Sequence, residues 1–211
     1  MPNDQLKEAI EVTNSELVIP PHTNHIGTIF GGRVLELMDM TGAMAAMRFA
    51  GEDVVTASMD AVDFKKPIQL GDMIELKAKV IHTARTSMVV KVDLFRLAHA
   101  DSQRDFSCRG YLVFVAITCD GNPKEVPTLK LVTDDDNKFW AIGEKIKQRA
   151  KERKIRDAEV GKLPYMLIVG DKEKADGTVT VRLRDGKNLQ PMSIEDFAAK
   201  IIDETAQGRG I

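Results

Sequence analysis

The sequence predicts an α+β fold in which an antiparallel sheet covers one long apolar helix. The helix is predicted for residues 31–49, GGRVLELMDMTGAMAAMRF, which are rich in Leu, Met and Ala and carry charge at only four positions. A helix with so few charged residues is expected to be buried on nearly all sides. Four segments rich in β-branched and aromatic residues follow it, and such segments are typical of strands.

The four predicted strands cover residues 54–64, 74–81, 87–97 and 106–119. Between Ile74 and Val80, apolar residues alternate with charged ones, and this period of two indicates a sheet with one apolar and one polar face. The connections are short, as in an antiparallel meander. The apolar sheet face and the apolar helix are expected to bury each other, although another topology of one helix on one sheet would satisfy the same pattern.

Composition and charge indicate an ordered globular protein. The chain has 211 residues, of which 43% are hydrophobic and 29% are charged, with a formal net charge of −2. Such a balance does not point to nucleic acid or an anionic membrane as a partner. The first residues do not resemble a signal peptide, and no segment reaches the roughly 18 apolar residues of a transmembrane helix, so we expect a cytoplasmic protein.

The two cysteines, Cys108 and Cys119, lie eleven residues apart on one predicted strand. An odd separation places two strand residues on opposite faces, so we expect both to be reduced packing residues. No spacing typical of a metal site occurs in the sequence, and we expect no metal or other cofactor.

Asp39 is the charged residue whose position most needs a reason. It lies about two turns into the apolar helix, where an ionised carboxylate is costly unless it is paired or hydrated. Arg33 or Arg48 could pair with it, or its side chain could face solvent. The other interpretation is that Asp39 is a general base or a nucleophile in a cleft.

The segment before the helix, PPHTNHIGTIFGG, contains further candidates. It places Asn24 in a loop and puts Gly31 and Gly32 at the helix start, where free backbone N–H groups could stabilise an oxyanion. Glycines also occur at helix starts for purely structural reasons. His22 and His25 could serve in acid–base catalysis or simply form hydrogen bonds within the loop.

Several motifs, in order along the chain, resemble the acyl-CoA hydrolases (thioesterases) of the hotdog superfamily. They are PPHTNHIGTIFGGRVLELMDMTGAMAAMR, VVTASMDAVDFKKPIQLGDMIELKAKV, RTSM and YLVFVAITCDGNPKEVP. The resemblance covers about residues 8–155. It implies the hotdog fold, in which an antiparallel sheet wraps around a long central helix, and an enzyme that hydrolyses acyl-CoA to a free fatty acid and CoA.

The resemblance also implies that Asn24 and Asp39 form the catalytic pair. Asp39 would activate water or attack the thioester carbonyl itself, while N–H groups near Gly31 and Gly32 hold the oxyanion and Asn24 orients the water or the thioester. Family members build the site between two protomers, so Asn24 of one chain would meet Asp39 of another. The implied assembly is a homo-oligomer with a dimer as its minimal unit, and we expect a trimer of such dimers, a hexamer.

The RTSM segment resembles the part of these enzymes that contacts CoA. It supplies Arg85, Thr86 and Ser87 as candidates, and the guanidinium of Arg85 suits phosphate recognition because it can bond bidentately. Thr56 and the Lys65–Lys66 pair are weaker candidates for the same ligand, and the two lysines are also expected on an ordinary solvated surface.

The C-terminal part of the chain resembles a different family. Residues 155–204, which include LPYMLIVGDKE and VTVRLRDGK, are similar to the C-terminal half of a threonyl-tRNA synthetase anticodon-binding domain. The resemblance would place Glu173 and Arg182 at an anticodon surface. The first half of that domain is absent, so the tail is either a route to nucleic acid or a structural or oligomerising appendage, or the scar of a gene fusion.

Local patterns predict the elements of the tail. Strands are predicted at 165–169 and 178–183, with a turn at 175–177 between them. A last helix is predicted to begin at Ser193, which with Asp196 resembles a capping box.

These predictions give three regions: a hotdog thioesterase domain at 1–133, a basic amphipathic helix and linker at 134–155, and a partial anticodon-binding-like α/β appendage at 156–211. The basic residues of the linker helix are expected on a solvated face or on a binding surface. Two rival functions remain. One is a hotdog hydratase, which would rely on a histidine paired with a carboxylate, and the other is an acyl-CoA-binding or tRNA-associated module without catalysis.

Overall fold

The structure is a computed structural model that describes residues 6–60, 62–97, 104–160, 165–183 and 186–207, without the side chains of 154–160 and 171. The chain divides into two compact units, Met1–Ala150 and Lys151–Ile211. The first contains the predicted helix and sheet, and the second contains the C-terminal appendage. Within the described ranges, no helix is both long and apolar enough to cross a membrane.

The central helix of the first unit, α1, spans Gly31–Ala50. Leu37 and Met38 on α1 are fully buried, as the apolar pattern predicts. Gly51 ends the helix in the left-handed conformation, with φ at 74°, and glycine adopts this conformation without steric cost.

Eight strands accompany α1 in the described part of the first unit. They are β1 (Leu6–Lys7), β2 (Val12–Leu17), β3 (Asp53–Met59), β4 (Asp63–Phe64), β5 (Met73–Thr83), β6 (Ser87–Leu97), β7 (Arg104–Ile117) and β8 (Thr128–Leu129). The main sheet is antiparallel and follows the order β2-β5-β6-β7-β3, with β4 also paired to β7. The short strands β1 and β8 form a separate parallel pair. The predicted α+β architecture is confirmed.

One face of the main sheet packs on α1. Phe114 from β7 and Val92 from β6 meet the helix at Gly42, where an added Cβ would lie 3.0 Å from the Phe114 ring. A Cβ at this position would require the Phe114 ring or the helix to shift by a few tenths of an ångström. A glycine in mid-helix costs about 1 kcal/mol relative to alanine, and here the close approach explains its presence.

Three details of the predicted strands were wrong. The predicted strand 54–64 is two strands, β3 and β4, with a break after Met59. The last predicted strand ends at Ile117, so Cys119 lies beyond it and not on the opposite face of the same strand. Cys108 is buried, Cys119 is exposed, and both are free thiols as expected. Strand β2 was not predicted at all.

The other face of the main sheet is covered by α2, which spans Asp134–Val160. Ile146 of α2 packs in a cluster with Ile81, Val89 and Val113 of the sheet. Next to this cluster, the ring of buried His82 stacks on Trp140 with 4.2 Å between ring centroids. Apolar residues in the N-terminal part of α2 therefore serve packing in the first unit.

The second unit is a small α/β structure. Its elements are β9 (Tyr165–Ile168), α3 (Asp171–Asp176), β10 (Thr178–Leu183), β11 (Met192–Ser193) and α4 (Ile194–Ala206). The strands form an antiparallel sheet in the order β11-β10-β9. The two predicted strands are confirmed, and so is the cap of α4, where the Ser193 hydroxyl accepts from the Asp196 N–H at 3.0 Å. The predicted turn at 175–177 is instead the end of α3.

Candidate active site

Asp39 is half-buried on α1 and is held by a neighbouring strand. Its Oδ1 accepts a hydrogen bond of 2.7 Å from the hydroxyl of Thr56 on β3. Arg33, one of the two partners considered for Asp39, is paired with Glu16 and Glu36 instead. Within the described part of the chain, Asp39 forms no ion pair. Its carboxylate is therefore oriented by a neutral donor and is not neutralised by a cation.

Thr56 lies where β3 departs from regular pairing. The register between β3 and β7 shifts between Thr56 and Ser58, and such bulges re-aim side chains near functional sites. Thr56 was considered only as a contact for CoA. Its hydroxyl bond to Asp39 gives it a different place, beside the predicted catalytic carboxylate.

Asn24 closes its own loop. Its Nδ2 donates to the Thr28 hydroxyl at 2.8 Å, and its Oδ1 accepts from the N–H groups of Ile26 and Thr28 at 3.0 and 3.2 Å. These bonds fix the side chain in one orientation. No hydrogen bond joins Asn24 to Asp39 within one chain, as far as the described residues go.

The start of α1 has no polar cap. Phe30 occupies the cap position without a side-chain hydrogen bond, and the first turn has no acidic residue. The first backbone hydrogen bonds of the helix are donated by the N–H groups of Arg33 and Val34, both to the Phe30 carbonyl. The first backbone N–H groups of a helix have no partner inside it, so those of Gly31 and Gly32 remain available at this end.

Two exposed phenyl rings lie beside these glycines. A Cβ on Gly32 would lie 2.7 Å from the Phe30 ring, and one on Gly31 would lie 3.8 Å from the Phe64 ring. Phe30 is 60% exposed and Phe64 is 51% exposed. The glycine pair is thus a polar backbone site with apolar surroundings, and a side chain on Gly32 would require the Phe30 ring to move.

Arg85, Thr86 and Ser87 lie at the turn between β5 and β6. The Arg85 side chain is exposed, and its Nη1 lies 3.7 Å from an oxygen of Glu125. The Thr86 carbonyl accepts from the Ala116 N–H at 3.0 Å, and this bond ties the turn to β7. The turn is anchored through its backbone while the guanidinium of Arg85 points outward.

An ionic network at the start of α1 was missed by the sequence analysis. Both carboxylate oxygens of Glu16 accept from Nη2 of Arg33, at 2.7 and 2.9 Å, and one of them lies 3.2 Å from Nδ1 of His22. The signal was hidden because Glu16 belongs to β2, which the sequence did not reveal. His22 therefore has a structural contact, whereas His25 is exposed.

The first unit also has an open cleft of about 330 Å³, lined by Asp63, Lys65, Phe106, Arg109 and Tyr111. None of the predicted catalytic residues lines it. Among the described residues, no group of three or more His, Cys, Asp and Glu side chains could hold a metal ion.

Comparison with known proteins identifies the first unit. Residues 26–101 match the thioesterase superfamily. The uncharacterized acyl-CoA thioester hydrolase YkhA of Bacillus subtilis is 32% identical over 155 residues, which cover 74% of this chain and 88% of the relative.

Solved structures agree with this relationship. The acyl-CoA hydrolase of Staphylococcus aureus, determined in complex with butyryl coenzyme A and coenzyme A, is 35% identical with a TM-score of 0.67, covering 71% of this chain and 92% of that one. Variants of that enzyme with one asparagine, one aspartate or one threonine changed to alanine also match. An apo-hexameric acyl-CoA thioesterase is 38% identical with a TM-score of 0.66, covering 73% and 98%.

The C-terminal part of the chain, from α2 onward, matches a different group. Residues 135–204 match the anticodon binding domain family. The threonine–tRNA ligase of Syntrophotalea carbinolica is 61% identical over 56 residues, but these cover only 26% of this chain and 9% of the ligase. The chain thus belongs to the acyl-CoA thioester hydrolase family of the thioesterase superfamily, and it carries an appendage of the anticodon-binding type after that enzyme unit.

Proposed function

We propose that the protein hydrolyses the thioester of acyl-CoA to a free carboxylic acid and CoA, with Asp39 as general base or nucleophile. The observation that carries this proposal is the Asp39 carboxylate, which is half-buried, oriented by Thr56 and not paired with a cation. A carboxylate of this kind has oxygen lone pairs that are not engaged by a cation and can take a proton or attack a carbonyl carbon. Apart from Thr41, the buried residues of this helix are apolar, and an ionised carboxylate beside them is costly unless it has a role.

In the general-base form, Asp39 takes a proton from water while the water oxygen attacks the carbonyl carbon. The C–S bond then breaks, and the departing thiolate of CoA takes up a proton. In the nucleophilic form, an Asp39 oxygen attacks the carbonyl carbon, the C–S bond breaks and the CoA thiolate leaves and takes up a proton. Water then hydrolyses the mixed anhydride, which releases the carboxylic acid and regenerates the Asp39 carboxylate. Both forms release the same products and require neither a metal nor another cofactor.

The backbone N–H groups of Gly31 and Gly32 are proposed to hold the oxyanion of the tetrahedral intermediate. Their support is the absence of a cap at the start of α1, which leaves them free to donate. The dipole of α1 adds to this preference for negative charge at its N-terminus.

The spacing of the proposed residues supports their assignment. In the Staphylococcus aureus enzyme, the asparagine, aspartate and threonine that were changed to alanine follow one another in the same order and at the same separations as Asn24, Asp39 and Thr56. Studied residues of an enzyme are usually those suspected of a part in catalysis. We therefore infer that Thr56 orients Asp39 and does not only contact CoA.

Asn24 is proposed to act from the partner protomer. In the described chain it does not contact Asp39, so the pair requires a second copy. Such a copy has a surface available, because Met40, Met44 and Met47 of α1 are between 38% and 43% exposed and lie on one helix face. β3, at an edge of the sheet, exposes Val55 as well. Two known relatives are hexameric thioesterases, and we propose a homo-oligomer built from dimers, with a trimer of dimers as the full assembly.

CoA is proposed to bind at the turn that carries Arg85, Thr86 and Ser87. The exposed guanidinium of Arg85 is free to bond a phosphate bidentately, and its ion pair with Glu125 is long at 3.7 Å.

We also infer a cytoplasmic enzyme. We propose three regions for the chain, at 1–133, 134–155 and 156–211.

Replacement of Asp39 by Asn tests the proposal. The amide oxygen of Asn can still accept from Thr56, so the fold is expected to persist while thiol release from a panel of acyl-CoAs falls at least about a hundredfold. Glu36→Gln, which removes an exposed carboxylate one turn earlier on α1, is the matched control and should retain its activity. An Asp39→Asn protein that turns over like the wild type would remove Asp39 from the mechanism.

A role for the tail in RNA binding is not favoured by the position of Glu173. Its Oε1 accepts from the Thr180 hydroxyl at 3.0 Å and its Oε2 accepts from the Gly170 N–H at 3.0 Å. Both oxygens are thus engaged within the second unit. We propose a structural or oligomerising role for the tail, and a gel-shift assay with tRNA should detect no specific complex.

The hydratase alternative is also not favoured, because α1 contains no histidine to pair with Asp39.

A further inference from the structure

We propose that Glu16 is a positioning residue of the thioesterase site, which holds the Asn24 loop and the start of α1 in one fixed arrangement. This inference rests on the proposed function, because it assigns a part in that reaction to a residue outside the predicted site.

Glu16 contacts both ends of the segment that carries the proposed groups. At the front end, one of its oxygens lies 3.2 Å from Nδ1 of His22, two residues before Asn24. At the far end, both oxygens accept from Arg33, at 2.7 and 2.9 Å, immediately after Gly32. A single carboxylate therefore bridges the two sides of the loop.

The loop between these contacts is closed on itself. The Phe30 N–H donates to the His22 carbonyl at 2.8 Å, and the Asn24 N–H donates to the Thr28 carbonyl at 2.8 Å. The segment 22–30 thus behaves as one compact piece. Glu16 fixes this piece against the helix, so a change at Glu16 would move Asn24 relative to the glycine N–H groups.

The position of Glu16 within β2 also needs explanation. Along β2, half-buried and exposed residues alternate, and Asn14 and Glu16 are both half-buried. Asn14 reaches the Thr41 hydroxyl of α1 at 3.4 Å, and Glu16 reaches Arg33. A strand face toward a helix normally carries apolar residues. Here a carboxylate stands among them, in contact with two basic side chains that are each about four-fifths buried.

The contact between Glu16 and Arg33 joins two opposite charges. The bonds from Glu16 and Glu36 raise the pKa of the Arg33 guanidinium, with the Glu16 bond as the largest cause. The two hydrogen bonds run from one guanidinium nitrogen, Nη2, to both carboxylate oxygens, and they fix the geometry as well as the charge. Removal of Glu16 would remove the one carboxylate that lies beside both Arg33 and His22.

Glu36 provides a matched control within the same network. Its Oε1 lies 2.8 Å from Nη1 of Arg33, on the same helix and 56% exposed. It contacts Arg33 as Glu16 does, but it does not contact the loop. A comparison of Glu16→Gln with Glu36→Gln therefore separates loss of the bridge from simple loss of a charge beside Arg33.

The experiment measures kcat and KM for one acyl-CoA that the wild type hydrolyses, together with the unfolding midpoint and the oligomer size of each protein. Glu16→Gln should lower kcat about tenfold or more with KM nearly unchanged, since misplacement of reacting groups affects the chemical step. Glu36→Gln should leave both constants unchanged. Glu16→Asp, which keeps the charge one methylene further back, should recover part of the lost kcat.

Three outcomes overturn the inference. They are a kcat of Glu16→Gln equal to that of Glu36→Gln, a change confined to the unfolding midpoint, and a change confined to KM. If Glu16→Gln does not fold, a wild-type kcat for Glu16→Asp overturns it as well. A wild type that releases no thiol from any acyl-CoA overturns the proposed function itself, and this result is distinct from the others because it appears before any variant is compared.

Discussion

The two units of this chain differ in how much apolar side chain they bury. The first unit has a core in which large residues such as Phe114, Leu37 and Leu76 are fully buried between α1 and the sheet. In the described part of the second unit, the buried cluster consists of Val179, Val181 and Phe197. Small cores give little stability by themselves. The comparison teaches that the first unit can hold a precise site, whereas the second is expected to be marginal.

The units also differ in how the carboxylate of one acidic residue in each is hydrogen-bonded. Asp39 accepts one hydrogen bond and retains a free oxygen in the described chain, while both oxygens of Glu173 are engaged by its own unit. The resemblance to known families assigned a functional role to both residues. Local contacts, and not the residue type, separate a carboxylate that is free for chemistry from one that caps a helix.

The largest expected effect is on stability, and it compares a phenylalanine in each core. Phe114→Ala should lower the free energy of unfolding of the first unit by about 3–5 kcal/mol, because it leaves a cavity against Gly42 of α1. Phe197→Ala should lower only the melting temperature of the second unit and leave thiol release unchanged. Calorimetry with an activity assay measures both. A Phe197→Ala protein that loses activity would show that the two units depend on each other.

A smaller effect is expected from pH, and it concerns the first unit alone. Burial lowers the pKa of His82 below its usual 6.5, Lys147 lowers it further, and Glu144 opposes both. The unfolded chain therefore binds the proton more readily than the folded one, so this stabilising contribution is complete above pH 6.5 and is lost as the pH falls toward the folded-state pKa.

The measurement is the unfolding midpoint of the first unit at about pH 7.5 and about pH 5.5 in the wild type and in His82→Gln. The wild type should lose more of its stability than the variant between the two conditions. Equal losses would contradict the expectation. The unit 151–211 serves as internal reference, because it does not contain His82.

The smallest expected effect concerns activity without the tail. Deletion of residues 156–211 should leave kcat/KM within about twofold, because the proposed catalytic groups all belong to the first unit. Size-exclusion chromatography with light scattering shows whether the oligomer changes. Loss of turnover with an unchanged oligomer would show that the tail has a direct part in catalysis.

Most of the first unit could be predicted from the sequence because the periodicity of its apolar residues indicates its helix and strands. The apolar run of α1 and the alternation in β5 are strong local signals. β2 could not be predicted, since VTNSEL contains an asparagine, a serine and a glutamate and becomes a strand only through its pairing with β5. α3 was missed because the short helix lies between turn residues.

The candidate site was harder to predict from the individual residues. Spacing singled out Asp39 as unusual, but only the resemblance paired it with Asn24. The contact between Asp39 and Thr56 depends on the place of β3 beside α1, and 17 residues separate the two in sequence. The Glu16 bridge depends on three elements that meet in space. Such relations are fixed by tertiary packing, which a local pattern does not contain.

The uncapped start of α1 has a consequence for the behaviour of the free protein. Most helices begin with Ser, Thr, Asp or Asn, and replacement of such a cap by an apolar residue costs about 1 kcal/mol. With Phe30 in this position, the first turn of α1 is less stable than it would be with a polar capping residue. In the proposed reaction, the thioester oxygen would accept from the N–H groups that a capping side chain would otherwise engage. We therefore expect the first turn of α1 to be more stable with substrate bound than without it.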